Sequence, residues 1–279
     1  MPRPTAVLAV AALMAACGAA QAGSAGSAAA DAPTASAARS PLPDTVPPAP
    51  PAAPSAAPTA AAGPALSVSA ADESPDCRRV KCVALTFDDG PGRHTGTLLR
   101  HLAKHDARAT FFVVGRNAAA DPGAVRRTAE AGHEIGNHSW SHRDLTRLSD
   151  SGIRADLARA DRAIEKATGA APELFRPPYG ALDAGVRKQA GRPVVLWSVD
   201  TLDWRYRDSA TVARRAVKGA KPGAVILFHD IHPTTVKAIP EVLKSLSKRG
   251  YHFVTVSGLF RGKPPKLVHS GAPRAAGSR

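Results

Sequence analysis

From Val80 onward the chain alternates apolar runs of strand length with stretches of helical pattern, and this alternation restricts the fold more than any other feature of its 279 residues. VALTF is followed by TLLRHLAKH, ATFFVV by DPGAVRRTAEA, and HEIGN by the long SDSGIRADLARADRAIEKATG. ELFRPPYG then precedes ALDAGVRKQA, PVVLWSVD precedes SATVARRAVKGA, AVILFHD precedes TTVKAIPEVLKSLSKRG, and YHFVTV closes the series. Strands alternating with helices imply βα units and parallel pairing, and runs apolar on both faces suit strands covered on both sides. About seven such units predict an α/β protein, a closed or nearly closed (β/α) barrel. An open, doubly wound sheet is the alternative; no Gly-rich phosphate loop follows the first strand to support it.

The first quarter of the chain reads differently. In residues 1–22, Arg3 precedes the apolar run AVLAVAALMAA, which is too short to span a bilayer and has the pattern of a secretory signal. Two processing sites remain open. Ala20-Gln21-Ala22 would release a soluble product starting at Gly23, whereas Met14-Ala15-Ala16-Cys17 resembles a bacterial lipobox that would lipidate Cys17. The protein is therefore expected to be exported, either secreted or held at the outer face of the membrane through Cys17. Residues 23–76 are rich in Ala, Pro and Ser and nearly devoid of aromatic side chains, so they are predicted to form a disordered linker with polyproline character. The foldable domain is expected over 77–261, and 262–279 is expected to be a basic, disordered tail.

Charge concentrates in the folded part. Arg3 and Arg39 against Asp31, Asp44, Asp72, Glu73 and Asp76 give the first 76 residues a net charge of −3, leaving +17 on residues 77–279 from the total of +14. No nucleic-acid-binding signature accompanies this charge, so anionic wall polymers or a membrane surface are the expected counter-surface. Cys77 and Cys82 form an even pair in a chain expected to be exported, which predicts a disulfide contributing roughly 2 kcal/mol. A zinc half-site is the weaker reading, because there is no second Cys pair.

Polar residues recur just past the strand runs: Asp88 and Asp89, His138, Arg176, Asp200 and Asp203, and His229. In a barrel that end carries the site, so these groups are expected to converge on one pocket. HSWSH places His138 and His142 four residues apart, which on a helical turn would put both imidazoles on one face for a single metal ion. TFDDGPG offers two adjacent carboxylates; the turn after them is expected to bring both to the rim, one as a ligand and one as a proton acceptor. Two imidazoles and a carboxylate put zinc ahead of cobalt, nickel or manganese as the single divalent ion.

Taken in order, TFDDG, HSWSH, RPPY, DTLDW and LFHD resemble the motifs of the NodB-homology polysaccharide deacetylases, carbohydrate esterase family four. The resemblance spans about Cys82 to Phe260. It implies an irregular barrel of seven or eight strands, with Asp89, His138 and His142 as metal ligands, Asp88 as general base and His229 as general acid. Arg176 would orient Asp88, Asp203 would support the protonated His229, the Tyr179 backbone would help bind the oxyanion, and Trp204 and Leu227 would wall the acetyl pocket. Removal of N-acetyl groups from an amino-sugar polysaccharide is the implied reaction, with peptidoglycan N-acetylglucosamine preferred on the strength of the tether and positive charge. A chitooligosaccharide deacetylase and an O-acetyl xylan esterase are alternatives, and a non-catalytic wall-binding protein is the competing class. The enzyme is expected to act as a monomer.

Overall fold

A computed structural model describes residues 75–269; the expected signal at 1–22 with Cys17, the linker up to residue 74 and the tail beyond 269 lie outside the described residues. The strands are β1 (Lys81–Asp88), β2 (Thr110–Val113), β3 (Glu134–Asn137), β4 (Val194–Val195), β5 (Val199–Asp200), β6 (Ala224–His229), β7 (Tyr251–Phe253) and β8 (Leu267–Val268). The helices are α1 (Thr95–Ala103), α2 (Gly115–Ala120), α3 (Pro122–Glu130), α4 (Asp150–Thr168), α5 (Ala184–Ala190), α6 (Asp203–Tyr206), α7 (Ser209–Gly219), α8 (Pro233–Lys248) and α9 (Val256–Leu259).

Every strand pairing is parallel, and the main sheet runs β3-β2-β1-β6-β5, with β7 added along the start of β1. Single bridges from Asn137 to Phe175 and from Phe175 to Val194 carry the sheet on to the β4–β8 pair. The result is the irregular barrel that the family resemblance implies, built on the parallel βα units predicted from the alternation of runs. β1 lies at its centre and is buried along its length after Lys81, which explains why VALTF is apolar on both faces. One face sends Phe87, Phe111 and Phe228 from three neighbouring strands into a stack beneath the helices, with ring centroids 5.2 and 5.4 Å apart. The other sends Ala84, Phe112 and Val225 inward, against Leu174, Val195 and Val256.

Several helices carry their own start and stop signals. In α4 the Ser149 hydroxyl accepts the Gly152 N–H, Gly169 closes the last turn at φ +80°, and Ile153, Leu157, Ala160, Ile164 and Ala167 form a single buried stripe. Asp121 caps α3 ahead of Pro122, and Asp208 caps α7.

Three expectations need correction. PVVLWSVD is not one strand: β4 pairs with β8 and β5 with β6, and the chain changes partner between them, Leu196 N–H donating to Val268 and Ser198 N–H to Val225. In that crossing the carbonyls of Val195 and Leu196 are taken by the Arg176 side chain. ELFRPPYG contributes only the Phe175 bridges, because Pro177 and Pro178 have no N–H to continue a ladder. The expected disordered tail begins too early at 262: Leu267 and Val268 form β8, and Val268 is buried in the inner core. Three positive charges, Arg261, Lys263 and Lys266, obscured a two-residue apolar anchor.

Cys77 and Cys82 lie 5.3 Å apart at Cα with their sulfurs joined, tying the entry turn to β1.

Candidate active site

Parallel pairing sends the C-terminal ends of the strands to one face, and register sets which side chains meet there. β1 and β6 align Asp88 with His229, and β5 aligns Asp200 with Leu227. Asp89 leaves the strand at φ +73°, so the two consecutive carboxylates turn toward the same cavity instead of opposite faces. That cavity, of about 600 Å³, is lined by Asp88, Asp89, His138, His142, Trp204, Leu227 and His229, with Tyr179 and Trp197 at its wall. Arg176 and Asp203 lie fully buried directly behind it. All ten residues expected at the site are therefore brought together.

The histidine pair does not sit on a helical turn as its spacing predicted. Residues 138–142 form an irregular loop after β3 in which Ser139 and His142 have positive φ (65° and 57°). Side chains from β3 and α4 hold it. Asn137 Oδ1 accepts the Ser139 N–H at 2.7 Å, Asp156 accepts the Trp140 N–H at 2.6 Å, and Ser139 Oγ accepts the His142 N–H at 2.9 Å. Asn137 is itself fixed through Nδ2 to the Leu157 carbonyl and Asp161.

The donor set fits a cation. His138 Nδ1 lies 2.7 Å from the Arg176 carbonyl, which only accepts, so Nδ1 carries the proton and Nε2 presents a lone pair. Burial, with His142 nearby, pushes His138 down to about 3, so the ring is neutral. Its Nε2 faces Asp89 Oδ1 at 3.6 Å, and His142 Nε2 faces the same oxygen at 3.2 Å. Asp89 Oδ1 is buried and accepts no hydrogen bond. With Nε2 of both rings unprotonated this gap holds three acceptors, a set that a cation satisfies, and Asp89, His138 and His142 each offer one ligand atom within 4.8 Å of the others.

Two further titratable groups line the same cavity, the first of them Asp88. Arg176 Nη1 donates to its Oδ1 at 2.7 Å and to Thr86 Oγ1 at 2.8 Å, while Nε and Nη2 donate to the Val195 and Leu196 carbonyls at 3.0 and 2.9 Å. The guanidinium also lies 4.2 Å from the Phe112 ring centroid. Burial raises Asp88 above the usual carboxylate range against the pull of Arg176. The second is His229. Burial alone would lower its pKa, but Asp203, accepting from Nδ1 at 2.8 Å and adding its charge, carries it up to about 9. Asp203 also accepts from the His229 N–H and the Thr235 hydroxyl, both at 2.7 Å; burial would raise its carboxyl, but these bonds hold it below the usual range.

Several groups here carry no spacing signal in the sequence. Trp197 lines the cavity from the β4–β5 crossing, Thr235 supports Asp203 from α8, and Asn137 and Asp156 brace the histidine loop. Asp230, inside the LFHD motif, is fully buried; burial raises its carboxyl to about 7, and it accepts the Thr95 hydroxyl. A Cβ on Gly90 would lie 2.5 Å from Asp230 Oδ1, so the turn after Asp89 requires glycine by close approach.

Comparison with known proteins finds relatives of this chain. The sequence profile described as polysaccharide deacetylase matches residues 76–193. A peptidoglycan-N-acetylglucosamine deacetylase of Bacillus cereus is 38% identical over 192 residues, covering 66% of this chain and 90% of that protein. The chain belongs to the polysaccharide deacetylase family. Peptidoglycan-N-acetylglucosamine deacetylase PgdA of Listeria monocytogenes is 41% identical over 192 residues, 68% of this chain, and the matched part spans 41% of the Listeria protein. The structure of a family 4 acetyl xylan esterase from Clostridium thermocellum in complex with a cobalt ion superposes with a TM-score of 0.66 at 34% identity, covering 69% of this chain and all of that one.

Proposed function

We propose that this protein is a metal-dependent hydrolase that removes N-acetyl groups from the N-acetylglucosamine of peptidoglycan. The observation that carries the reading is that two differently supported groups, Asp88 with Arg176 and His229 with Asp203, share one cavity with the three-ligand set. Lewis acidity is what a divalent cation held by Asp89, His138 and His142 supplies when bound, polarising the acetyl carbonyl and making water acidic enough to deprotonate near neutral pH.

The chain's own residues do the rest. Asp88 accepts the proton of the attacking water, with its other oxygen held by Arg176 so that the accepting one keeps its aim. His229, kept protonated by Asp203, gives its Nε2 proton to the amine nitrogen as the C–N bond breaks; without that proton an amide anion would have to leave. The Tyr179 backbone N–H serves the developing oxyanion, while Trp204 and Leu227 enclose the acetyl methyl. Zinc is the ion of choice for this ligand set, with cobalt, nickel or manganese as substitutes. A neighbour that is an acetyl xylan esterase keeps O-acetyl xylan as a second substrate to test.

The apolar run at residues 6–16 supports export, and Cys17 supports a lipid anchor as the alternative to release after Ala22. The mass of the mature N-terminus distinguishes these. In an exported enzyme the Cys77–Cys82 bridge is retained, and the basic domain sits against anionic wall polymer as a monomer. Acetate release from peptidoglycan, chitooligosaccharide and acetylxylan, before and after chelation and on adding back each metal, tests the activity. Full release by thoroughly demetallated protein, or none from any substrate, rejects it.

A further inference from the structure

One wall of the cavity is built on α6, whose Asp203 and Trp204 already have tasks in the reaction, and it carries one further side chain. α6 is a single turn bounded by Leu202 at φ +55° and Arg207 at φ +50°, a conformation that side-chain-bearing residues hold only where the surroundings over-determine it. The turn is pinned from beneath by Asp203, which is fully buried and also accepts the Trp204 N–H at 2.9 Å. Trp204 lines the cavity and is half exposed, Arg205 and Tyr206 are exposed, and the Tyr206 ring lies 5.6 and 5.9 Å from the guanidinium carbons of Arg205 and Arg215.

Arg207 closes this wall and lines the cavity together with Trp204 and His232. Its Nε donates to the Trp204 carbonyl at 2.9 Å, which fixes the stem of the side chain. Among the described residues no carboxylate lies within ion-pair distance of it, in contrast to Arg176 and Arg192, each of which is matched to an aspartate. The charge of Arg207 also reaches inward: after burial it is the next cause holding His232 down to about 4. A fixed, unmatched guanidinium on a strained, over-determined turn at a cavity wall has the makings of a recognition element, and its planar fork fits a carboxylate through two parallel N–H bonds.

We propose that Arg207 is a specificity-determining residue that binds a carboxylate carried by the glycan beside the acetamido group being hydrolysed. The chain would then favour an acidic glycan over a neutral chitooligosaccharide. The inference rests on the deacetylase reading of the same cavity. The carboxylate has two sources, an acidic substituent on the neighbouring sugar itself or a peptide attached to it, and the recognition chemistry is the same for both.

The test measures kcat/KM for acetate release by the full mature chain on three probes: chitotetraose, a peptide-free oligomer of N-acetylglucosamine alternating with N-acetylmuramic acid, and the same oligomer bearing stem peptides. Arg207→Gln is expected to lower the ratio of acidic to neutral kcat/KM about three- to tenfold, mainly through KM, as suits a partly exposed charge pair. Arg207→Lys should recover part of the ratio, and raising ionic strength should erode it in the wild type. A fall on the peptide-free oligomer assigns the contact to the sugar's own carboxylate; a fall confined to the peptide-bearing one assigns it to the peptide. An unchanged ratio in Arg207→Gln overturns the proposal, whether rates fall equally on all probes or not at all. Wild-type protein inactive on every probe would instead reject the deacetylase reading.

Discussion

His133 is expected to make this domain less stable in mild acid, and by an amount that the structure bounds. It sits between α3 and β3, 8% exposed, with its ring 5.3 Å from that of Phe111 and its Nδ1 accepting the Ala109 N–H at 3.3 Å. Burial, reinforced by the positive charge of Arg108, pushes its pKa down to about 4 from 6.5. Between those values the unfolded chain takes up a proton that the folded chain refuses. The neutral ring therefore contributes stability that is complete above about pH 6.5 and is lost as the pH falls toward 4. At about 1.4 kcal/mol per unit the loss reaches about 3 kcal/mol, a large share of the margin of a typical domain. His133→Asn keeps an acceptor for the Ala109 N–H but does not titrate. Urea unfolding of both proteins at several pH values from 4 to 7 is the assay. The variant should begin lower at pH 7, having lost the ring contact with Phe111, and the two stabilities should converge by about 3 kcal/mol toward pH 4. Other groups that titrate in this range do so in both proteins and drop out of the difference. Parallel stability curves would refute the argument, because they would mean that His133 is protonated as readily folded as unfolded.

Asp88→Asn is expected to bind metal normally and lose about 10²- to 10⁴-fold in kcat, and metal analysis beside the acetate assay checks both halves. His142→Ala removes a ligand and should lose metal and activity together; metal retained at full stoichiometry would contradict the ligand set. Ending the chain at Arg261 removes β8 and the buried Val268, so its melting temperature should fall well below that of a chain ended at His269, which should match the full protein. A chain beginning at Ser74 should keep kcat/KM on a soluble oligosaccharide and lose activity on insoluble wall, whereas equal losses on both would mean that the preceding segment acts within the catalytic domain.

The parts of the fold legible in the sequence were those governed by local periodicity. β1, β2 and β6 are runs whose neighbours bury both faces, and α4 carries its own cap, stripe and terminal glycine, so each announces itself within its own residues. The short elements did not. β4, β5 and β8 are two residues each and owe their pairing to what lies beside them, including an arginine side chain that takes the carbonyls of Val195 and Leu196 at the crossing. The site divides in the same way. Its reacting residues fall in five short motifs at strand ends, while the groups that aim them come from elsewhere: Thr235 from α8, Asp156 and Asp161 from α4. A supporting residue is defined by the atom it reaches across the fold, and no spacing along the chain encodes that distance.

The histidine loop shows why this division has consequences for function. Four residues of separation would place two imidazoles together on a helix, and the chain brings them together without one. A helix would have spent the backbone N–H groups of this segment on its own carbonyls. Here the N–H groups of Ser139, Trp140 and His142 are satisfied by Asn137, Asp156 and Ser139 side chains, and the Val114–Gly115–Arg116 segment closes the loop by donating from Gly115 and Arg116 to the carbonyls of Ser139 and Trp140. The loop is therefore held at four points by three separate elements and at a fifth by its own Ser139, so both imidazoles face Asp89 through fixed backbone and not through rotamer choice alone. Gly115 makes that closure possible: a Cβ there would lie 2.7 Å from the Cα of Ala160 and 2.8 Å from the Trp140 ring. The close approach of α2 to α4, set by a glycine that touches neither metal ligand nor substrate, is thus part of what aims the ligands.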